Sequence, residues 1–552
     1  MKRFGPFSKR DTGDAAFPPV RFEMRGQNAR ATRLMEISFA EEPQFDVPIA
    51  VAPVQAPKGG RNRLHHFLGL AILGVIFLTG CNFAPKYQKP AAPAPAAYKE
   101  LTPDSAKEVD GWKTATPNDA ALRGKWWEVF NDPQLNTLED QVNISNQTVA
   151  VALANFLSAR AVVKQNVSQF FPTVTANPSV TRSRQSAARA GSGISSNSVT
   201  LTEYSLPLDA SWEPDFWGRV RNTVKASRFE AQASLADLEN TRLTVQSEVA
   251  ADYFQIRSLD AQEKLLNDAV NAYRESLRLT QVRHDTGIAS DQDVAQAEIQ
   301  LNSTAAQATD IGIQRAQVEH ALAVLVGKAP ADFSLSPEPL ESKPVAVPFG
   351  VPSGLLERRP DIAAAERRVA AANAQIGVAR SAYFPNVTLS ASGGYESSST
   401  VNLFSGPALV WSLGAAAAQT IFDAGNKFAV TAQAKAQYQG QAATYRQTVL
   451  GAFQDVEDNL AALRLLSREI QQEDAAVASS QRYLNLANDR YRLGIDSYLN
   501  VITAQTTLLG NQRTAVGLRL NQMTATVQLI KALGGGWSGD LTKPPGKQAA
   551  GK

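Results

Sequence analysis

Strand-like alternation of apolar and polar side chains occurs in two regions of the chain. Every second residue is apolar from Tyr204 to Trp212, and the same alternation occupies 387–392 and 409–414. A period of two is typical of strands with one apolar face. Strands of about ten residues containing these runs would have the length of a tilted transmembrane β-strand. The pattern predicts two hairpins, with strands at about 173–184 and 199–212, and at about 386–397 and 408–421.

Long helical stretches follow the two predicted hairpins. Neither Gly nor Pro occurs from Arg219 to Thr286, and no Pro occurs from Ala408 to Lys543. Nothing in these stretches compels a helix to end, and about 68 helical residues would extend roughly 100 Å. A shorter helix is predicted over about 134–169, ending before Pro172. Such lengths are unusual for a compact globular domain.

Glycine turns end the two long helices. Gly287 and Gly494 can adopt the left-handed backbone that closes a helix, and Ser290 and Ser497 are good N-caps for a following helix. We therefore expect each long helix to be followed by an antiparallel partner. These return helices should extend to about residues 326 and 533.

The whole pattern is duplicated at a fixed offset. Five landmarks recur 207 positions later: Gly218, Val249, Gly287, Val294 and Gly327 return as Gly425, Val456, Gly494, Val501 and Gly534. The pairs Phe171-Pro172 and Phe384-Pro385 are instead 213 apart, so the net length difference of six residues falls between Phe-Pro and the next glycine. Length changes collect in exposed loops, which places this one in the hairpin loops. We predict repeats over 115–329 and 354–537, joined by a proline-rich linker over 330–353.

The N-terminal part carries a lipoprotein-like signal. Three basic residues precede the apolar run 67–78, which is too short to span a bilayer as a helix. Leu78-Thr79-Gly80-Cys81 resembles the lipobox of bacterial lipoproteins, and that resemblance implies cleavage before Cys81 and its modification by N-palmitoyl and S-diacylglycerol groups. Asn82, which is not aspartate, then favours transport to the outer membrane.

The remaining terminal segments follow from this signal. We assign 58–80 to the signal peptide and 81–114 to a Pro- and Ala-rich spacer. Residues 1–57 fit no part of this organisation and are predicted to be a non-native or disordered extension, with translation starting near residue 35 or later. Residues 538–552 are predicted to form a flexible tail.

Composition argues against several classes of function. The chain of 552 residues has 55 basic and 52 acidic residues, so its formal charge of +3 gives no basic field for nucleic acid. A single cysteine excludes a disulfide within the chain, and the four histidines are too few and scattered for a metal site or a catalytic triad. We expect no enzyme activity, no metal and no cofactor other than the covalent lipid.

Four strands cannot close a barrel, and open strand edges in lipid leave backbone groups unsatisfied. The chain is therefore expected to oligomerise. Two copies would give eight strands with a filled interior, and three would give twelve strands with room for a pore. Strand number alone does not decide between them.

Several short motifs together resemble the outer membrane efflux proteins, specifically the NodT-type lipoprotein subfamily of TolC-like factors. The resemblance covers about 115–537. Its motifs are Trp126-Trp127 with Asp132-Pro133, Trp217-Gly218-Arg219, Leu355-Leu356-Glu357-Arg358-Arg359-Pro360-Asp361-Ile362, Ala365-Glu366-Arg367-Arg368, Ala374-Gln375-Ile376-Gly377, Tyr383-Phe384-Pro385 and Ala532-Leu533-Gly534-Gly535-Gly536-Trp537.

The resemblance implies a mainly α protein with β structure, in the trimeric outer-membrane factor fold. Three chains, each giving four strands, share a 12-stranded transmembrane β-barrel that continues into a long periplasmic α-helical barrel. The implied partners are a periplasmic membrane-fusion adaptor and an inner-membrane transporter of the resistance-nodulation-division (RND) class. The homotrimer would be an exit channel for drugs or toxic compounds, lipid-anchored in a Gram-negative-type outer membrane.

The resemblance also suggests functional residues. Those matching the hairpin tips that meet the adaptor are Gly287, Ile288, Ala289, Ser290, Gly494, Ile495, Asp496 and Ser497. Candidates for the periplasmic gate are Asp291, Asp293, Leu499, Thr503 and Thr506. The tip residues also serve as helix caps, and the two aspartates also suit a helix N-terminus electrostatically. Some members carry an acidic and a basic gate residue where this chain has two threonines, which suggests a weaker polar network or a constriction at Leu499.

Two other interpretations remain open. A TolC-like exit duct for type I protein secretion would share the architecture, although the lipobox and the 355–362 motif favour small-molecule efflux. A lipid-anchored coiled-coil tether would explain Cys81 and the long helices, but not the four alternating strands in matching positions. The sequence does not name the cargo.

Overall fold

A computed structural model describes residues 82–92, 95, 98–100, 124–184, 200–340 and 358–535. Several predicted segments lie outside the described residues. They are the extension 1–57, the signal peptide, Cys81, most of the spacer, the loop between the first two predicted strands (185–199), most of the linker, and the tail.

Each repeat consists of helices, antiparallel strands and a long helical hairpin. The first contains α1 (Pro133–Ser145), α2 (Gln147–Ser168), β1 (Thr173–Ala176), β2 (Ser179–Arg184), β3 (Thr200–Trp212), α3 (Arg219–Asp285) and α4 (Asp291–Leu325). The second contains α5 (Pro360–Ser381), β4 (Asn386–Ser397), β5 (Leu409–Ala418), α6 (Asn426–Arg492) and α7 (Tyr498–Ala532). Short 3-10 turns occupy Trp126–Phe130, Pro330–Asp332 and Gly406–Ala408.

The predicted helix over 134–169 is wrong in one respect, because Asn146 divides it into α1 and α2. The Asn146 backbone is extended, its side-chain oxygen accepts a hydrogen bond from the Val149 N–H at 2.9 Å, and its amide donates to the Leu325 carbonyl at 2.7 Å. Asparagine competes well for such local backbone bonds at helix starts. The break therefore ties α2 to the end of α4.

The strand predicted over 173–184 is interrupted at Asn177 and Pro178. These residues lie opposite Leu206 and Pro207 of β3, so two prolines without N–H groups remove donors from the same part of the ladder. Pairing with β3 keeps one register on both sides of the gap. The interruption therefore leaves every side chain on its expected face.

All five strands form one antiparallel sheet in which β1 and β2 both pair with β3, β3 pairs with β4, and β4 with β5. The registers align the apolar positions on one face: Val174, Val180, Tyr204, Leu206, Leu208, Trp212, Leu389, Tyr395, Leu409, Trp411 and Leu413. The opposite face includes Asp209, Ser392 and Ser412, and the Ser392 hydroxyl donates to Asp209 Oδ1 at 2.6 Å. The sheet is thus apolar on one face and polar on the other.

The two long helices, α3 and α6, have 67 residues each, and their starts are 207 positions apart. Gly218 and Gly425 precede them with φ of +79° and +87°, a backbone that favours glycine. Each turns at a glycine into a return helix of 35 residues, α4 or α7. None of the helices in the described part of the chain is both long and apolar enough to cross a membrane.

The main hydrophobic core lies where helices of both repeats meet. Trp126 and Trp127 are fully buried there, and their neighbours in the core include Tyr253, Tyr445 and Ile530. Arg257 and Asp260 of α3 form a buried ion pair beside it. Arg257 donates to the Ser336 carbonyl at 2.7 Å, so the pair holds the start of the linker against the helices.

An extended N-terminal segment, here called the strap (82–92, 95 and 98–100), follows the surface of the second repeat. Its Pro85 carbonyl accepts from the Asn373 amide at 2.8 Å, and Arg464 Nη2 donates to Glu100 at 2.5 Å. A Cβ atom at Gly377 would lie 2.6 Å from that of Ala84, so only glycine permits this close approach. The strap therefore connects the sheet end of α5 with the central part of α6.

Candidate functional site

The hairpin tips, 286–290 and 493–497, close with the same backbone bonds. Gly287 and Gly494 have φ of +77° and +74°. The N–H of Ile288 bonds back to the Arg283 carbonyl at 2.8 Å, and that of Ile495 to the Arg490 carbonyl at 2.9 Å. This six-to-one bond is the glycine-dependent way of ending a helix. The predicted glycine closures are thus present in both repeats.

The two serines after these glycines differ in what they do. Ser290 forms a capping box: the Asp293 N–H donates to its hydroxyl oxygen, and Asp293 Oδ2 accepts from the Ser290 N–H at 3.0 Å. Ser497 occupies the same position before α7, but its side chain makes no cap bond. The sequence therefore located both N-caps, whereas only the first serine provides a side-chain cap.

Asp496 gives the second tip a charge pair that the first tip lacks. Arg490 Nε donates to Asp496 Oδ2 at 2.5 Å, and this bond lowers the pKa of the Asp496 carboxyl below its usual range. Ala289 stands at the matching position of the first tip. The docking candidates thus comprise one tip closed by a capping box and one closed by an ion pair.

Arg283 connects the two hairpins near their tips. It occupies the repeat position of Arg490, yet its guanidinium donates to the Tyr491 carbonyl at 3.0 Å and lies 4.5 Å from the centre of the Tyr491 ring. Tyr491 packs with Tyr498, whose hydroxyl is 3.0 Å from that of Ser276 on α3. Sequence reasoning missed this contact, because the repeat made Arg283 and Arg490 look equivalent.

Apolar side chains are exposed at the tips within one chain. Ile288, Ile495 and Leu493 are 67%, 59% and 74% exposed, although isolated isoleucines and leucines are usually buried. They surround the capped turns, so each tip presents a rigid backbone with apolar side chains around it. Such a surface suits contact with another protein.

The gate candidates do not form one cluster within the chain. Asp293 is engaged in the capping box, and Asp291 Oδ1 lies 2.9 Å from His284 Nε2 at the end of α3. Leu499, Thr503 and Thr506 are exposed and occupy one face of α7, as their spacing requires. The Thr503 hydroxyl donates to the Leu499 carbonyl of its own helix at 2.9 Å.

The aromatic residues of the sheet occupy two different settings. Trp411 is 74% exposed on the apolar face, where Tyr204 also lies. Trp217 follows the strands instead: its indole N–H donates to the Pro385 carbonyl at 2.7 Å, and its ring stacks on Phe384 at 4.9 Å. Trp217 thus fastens the base of the sheet to the helices.

This combination of an apolar-faced sheet and paired long helical hairpins agrees with the family that the sequence motifs resemble. A sequence profile described as outer membrane efflux protein matches residues 138–328 and 351–535. The chain belongs to the outer membrane efflux protein family. The matched ranges correspond to the two copies of the repeat, and members of this family are channel proteins.

Relatives of known name support this assignment. The chain is 35% identical over 476 residues to the probable efflux pump outer membrane protein TtgC of Pseudomonas putida, covering 85% of this chain and 95% of that protein. It is 30% identical over 478 residues to the pyoverdine export outer membrane protein OpmQ of Pseudomonas aeruginosa, covering 85% and 97%.

Solved structures of the same kind share the fold. The chain superposes on the outer-membrane channel OprN with a TM-score of 0.75 and 28% identity, covering 83% of this chain and all of that one. For the CmeC outer membrane channel of Campylobacter jejuni the TM-score is 0.77 with 25% identity, covering 83% and 96%. The sequence prediction of an outer-membrane efflux fold is confirmed.

The two tip serines generate a matched prediction. Ser290→Ala should lower the local stability of the start of α4 by about 1 kcal/mol, because it removes a side-chain cap. Ser497→Ala should change the local stability of the start of α7 by only a few tenths of a kcal/mol, because no side-chain cap is lost there. Hydrogen exchange of the first turns of α4 and α7 measures both effects, and equal losses would contradict the difference between the tips.

Proposed function

We propose that three copies of this chain form the outer-membrane exit channel of a tripartite efflux pump, which passively conducts small molecules from the periplasm to the exterior. The observation that carries the proposal is the open sheet with one apolar face, joined directly to two helices of 67 residues. An apolar face suits lipid, and a polar face suits an aqueous lumen.

Closing the open sheet into a barrel requires other copies of the chain. The outer edges of β1, β2 and β5 have no partner strand among the described residues, and such edges are not stable in lipid. Because β1 and β2 are two parts of one interrupted strand, each chain contributes four strands across the sheet, and pairing the edges of three chains gives twelve, enough for a channel rather than a filled barrel. The resemblance to the TolC-like factors favours this number over two.

The helices carry the conduit away from the membrane. An α-helix of 67 residues extends about 100 Å, so the tips lie far from the sheet on the periplasmic side. There they would meet a periplasmic adaptor, which in turn would contact an RND transporter. The exposed Ile288 and Ile495, beside the rigid turns, support the tips as the docking surface. Energy would come from the pump, and this chain would carry out no chemical reaction.

A periplasmic gate would lie on the face of α7 that carries Leu499, Thr503 and Thr506. All three are exposed in the single chain. Because Thr503 already bonds its own helix, a ring of Leu499 side chains fits a periplasmic constriction better than a threonine network does.

Lipid anchoring at Cys81 is supported by the position of the strap. Phe83 stacks on Phe384 at a ring distance of 4.2 Å, and Phe384 lies two residues before β4 begins. Cys81 precedes Phe83 by two residues, which extend at most about 7 Å, so an anchor on Cys81 would be near the end of the sheet. Acyl groups on Cys81 would there be level with the membrane surface.

If the apolar face of the sheet faces lipid, neighbouring strand positions should differ strongly in how well they tolerate an introduced charge. Leu413→Arg places a charge on the apolar face and should destabilise the membrane-inserted sheet by about 2–4 kcal/mol per chain near mid-membrane. Ser412→Arg, on the polar face, should assemble normally. Trimer formation and single-channel conductance in planar bilayers measure the outcome. Equal tolerance of both substitutions would contradict the exit channel.

Docking at the tips is tested by crosslinking in cells. Cysteines introduced as Ala289→Cys and Asp496→Cys should capture a periplasmic adaptor, because both lie in the exposed turns. Gln314→Cys on the exposed part of α4, about two dozen residues from the first tip, is the control and should capture much less. Mass spectrometry identifies the crosslinked protein. Failure of both tip cysteines to capture any adaptor would contradict the docking assignment.

Cys81→Ser should abolish acylation while leaving the fold intact, since serine removes the sulfur that carries the lipid with little change in side-chain size. Mass spectrometry of the mature N-terminus should find a triacylated Cys81 in the wild type and no lipid in the variant. A mature wild-type chain that begins elsewhere, or that carries an unmodified Cys81, would rule out the anchor. Lys58→Gln, upstream of the apolar run, is a control that should retain acylation.

A further inference from the structure

We propose that a cleft beside the start of α6 binds an anionic membrane phospholipid, with the lipid phosphate held by Lys435, Arg380 and the Thr431 hydroxyl. The proposal rests on the outer-membrane placement given above. The cleft has a volume of about 390 Å³, and Phe83, Tyr383, Phe384 and Phe428 form its apolar wall. It is large enough for a lipid headgroup and the first part of its chains.

The cleft lies at the level where the sheet passes into the helices. Phe384 precedes β4 by two residues, and Phe428 is the third residue of α6. Between β5 and α6, Ile421 and Phe422 are 91% and 87% exposed, so apolar surface continues at this level outside the cleft. A phospholipid of the periplasmic leaflet would present its headgroup here.

Along one face of α6, the side chains change in chemical character in the same order as the parts of a phospholipid, from apolar to polar to charged. Phe428, Thr431 and Lys435 are spaced by three and four residues, which brings them to the same side of a helix. Moving away from the sheet, the face changes from aromatic to hydroxyl to ammonium. An acyl chain, an ester or phosphate oxygen and a negative charge would meet these groups in that sequence.

The polar groups of the cleft lack the partners that a purely structural role would provide. Thr431 is 8% exposed, and its hydroxyl makes no hydrogen bond. Arg380 donates to the Phe83 carbonyl at 3.3 Å, but in the described part of the chain neither Arg380 nor Lys435 has a carboxylate within ion-pair distance. Two cations and one buried donor therefore converge without an anion, and a phosphate group would satisfy all three.

The first repeat does not reproduce this arrangement. At the matching positions it has Val167 for Arg380, Val224 for Thr431 and Arg228 for Lys435. Both repeats must form the same junction between sheet and helices, so the junction itself does not require the arginine and the hydroxyl. Arg380 also bonds the strap, which is described only at this copy, but the buried Thr431 hydroxyl has no such partner, so its presence in one copy only is better explained by a ligand of that copy.

The test uses the full-length acylated trimer in a neutral detergent, with lipid binding counted by native mass spectrometry. Phosphatidylglycerol should bind the wild type, while phosphatidylcholine should bind more weakly because its headgroup has no net charge. Lys435→Gln and Thr431→Val should each weaken phosphatidylglycerol binding about tenfold, the typical effect of losing a hydrogen bond to a charged group. The matched control Arg228→Gln, at the same position of the other repeat, should bind like the wild type.

Three results would overturn the proposal. The first is undiminished phosphatidylglycerol binding in both cleft variants. The second is complete competition by inorganic phosphate at millimolar concentration, which would assign the site to a free anion. The third is binding only in Cys81→Ser, which would show that the chain's own acyl groups fill the cleft. Membrane fractionation of cells is a separate measurement: a chain absent from the outer membrane would refute the proposed function, whatever the detergent result.

Discussion

The structure depends on one constraint, that backbone N–H and C=O groups facing lipid must be hydrogen-bonded within protein. A single chain with one open sheet cannot satisfy this constraint by itself, because the outer edges of β1, β2 and β5 lack partner strands in the described chain. In lipid, the sheet would be complete only when other copies of the chain cover these edges. The same constraint explains why the register across Asn177 and Pro178 is kept: a slip by one residue would move the apolar side chains to the lumen.

The two repeats share the same helical scaffold, but residues at equivalent positions make different contacts. The long helices and their glycine turns repeat with the same spacing, but Arg257 binds the linker, whereas its counterpart Arg464 binds the strap. Likewise, Arg490 closes its own tip while Arg283 reaches the other hairpin. Equivalent positions of α3 and α6 thus hold different extended segments, in addition to the shared core and the β3–β4 pairing that join the two copies.

Much of this architecture could be predicted from the sequence, because period, glycine spacing and repeat offset are local signals. The strands, the long helices and the closures at Gly287 and Gly494 are examples. The break at Asn146 was missed because the apolar pattern continues across it, and because the local cap on Val149 is supported by a bond to the carbonyl of Leu325, far along the chain. The strap was missed for a similar reason: a Pro-rich segment has no periodicity, and its position depends on distant contacts such as Asn373. At the tips, the sequence indicated which residues form the turns but not that different side-chain bonds support the two turns.

The Arg283 contact has a mechanical consequence. Because its guanidinium binds the Tyr491 carbonyl and covers the Tyr491 ring, the ends of the two hairpins of a chain are coupled. A trimer would then have three coupled levers at its periplasmic end rather than six independent ones. A displacement of either tip of a subunit would then be transmitted to the other, so each subunit would respond to a load at this end as one body.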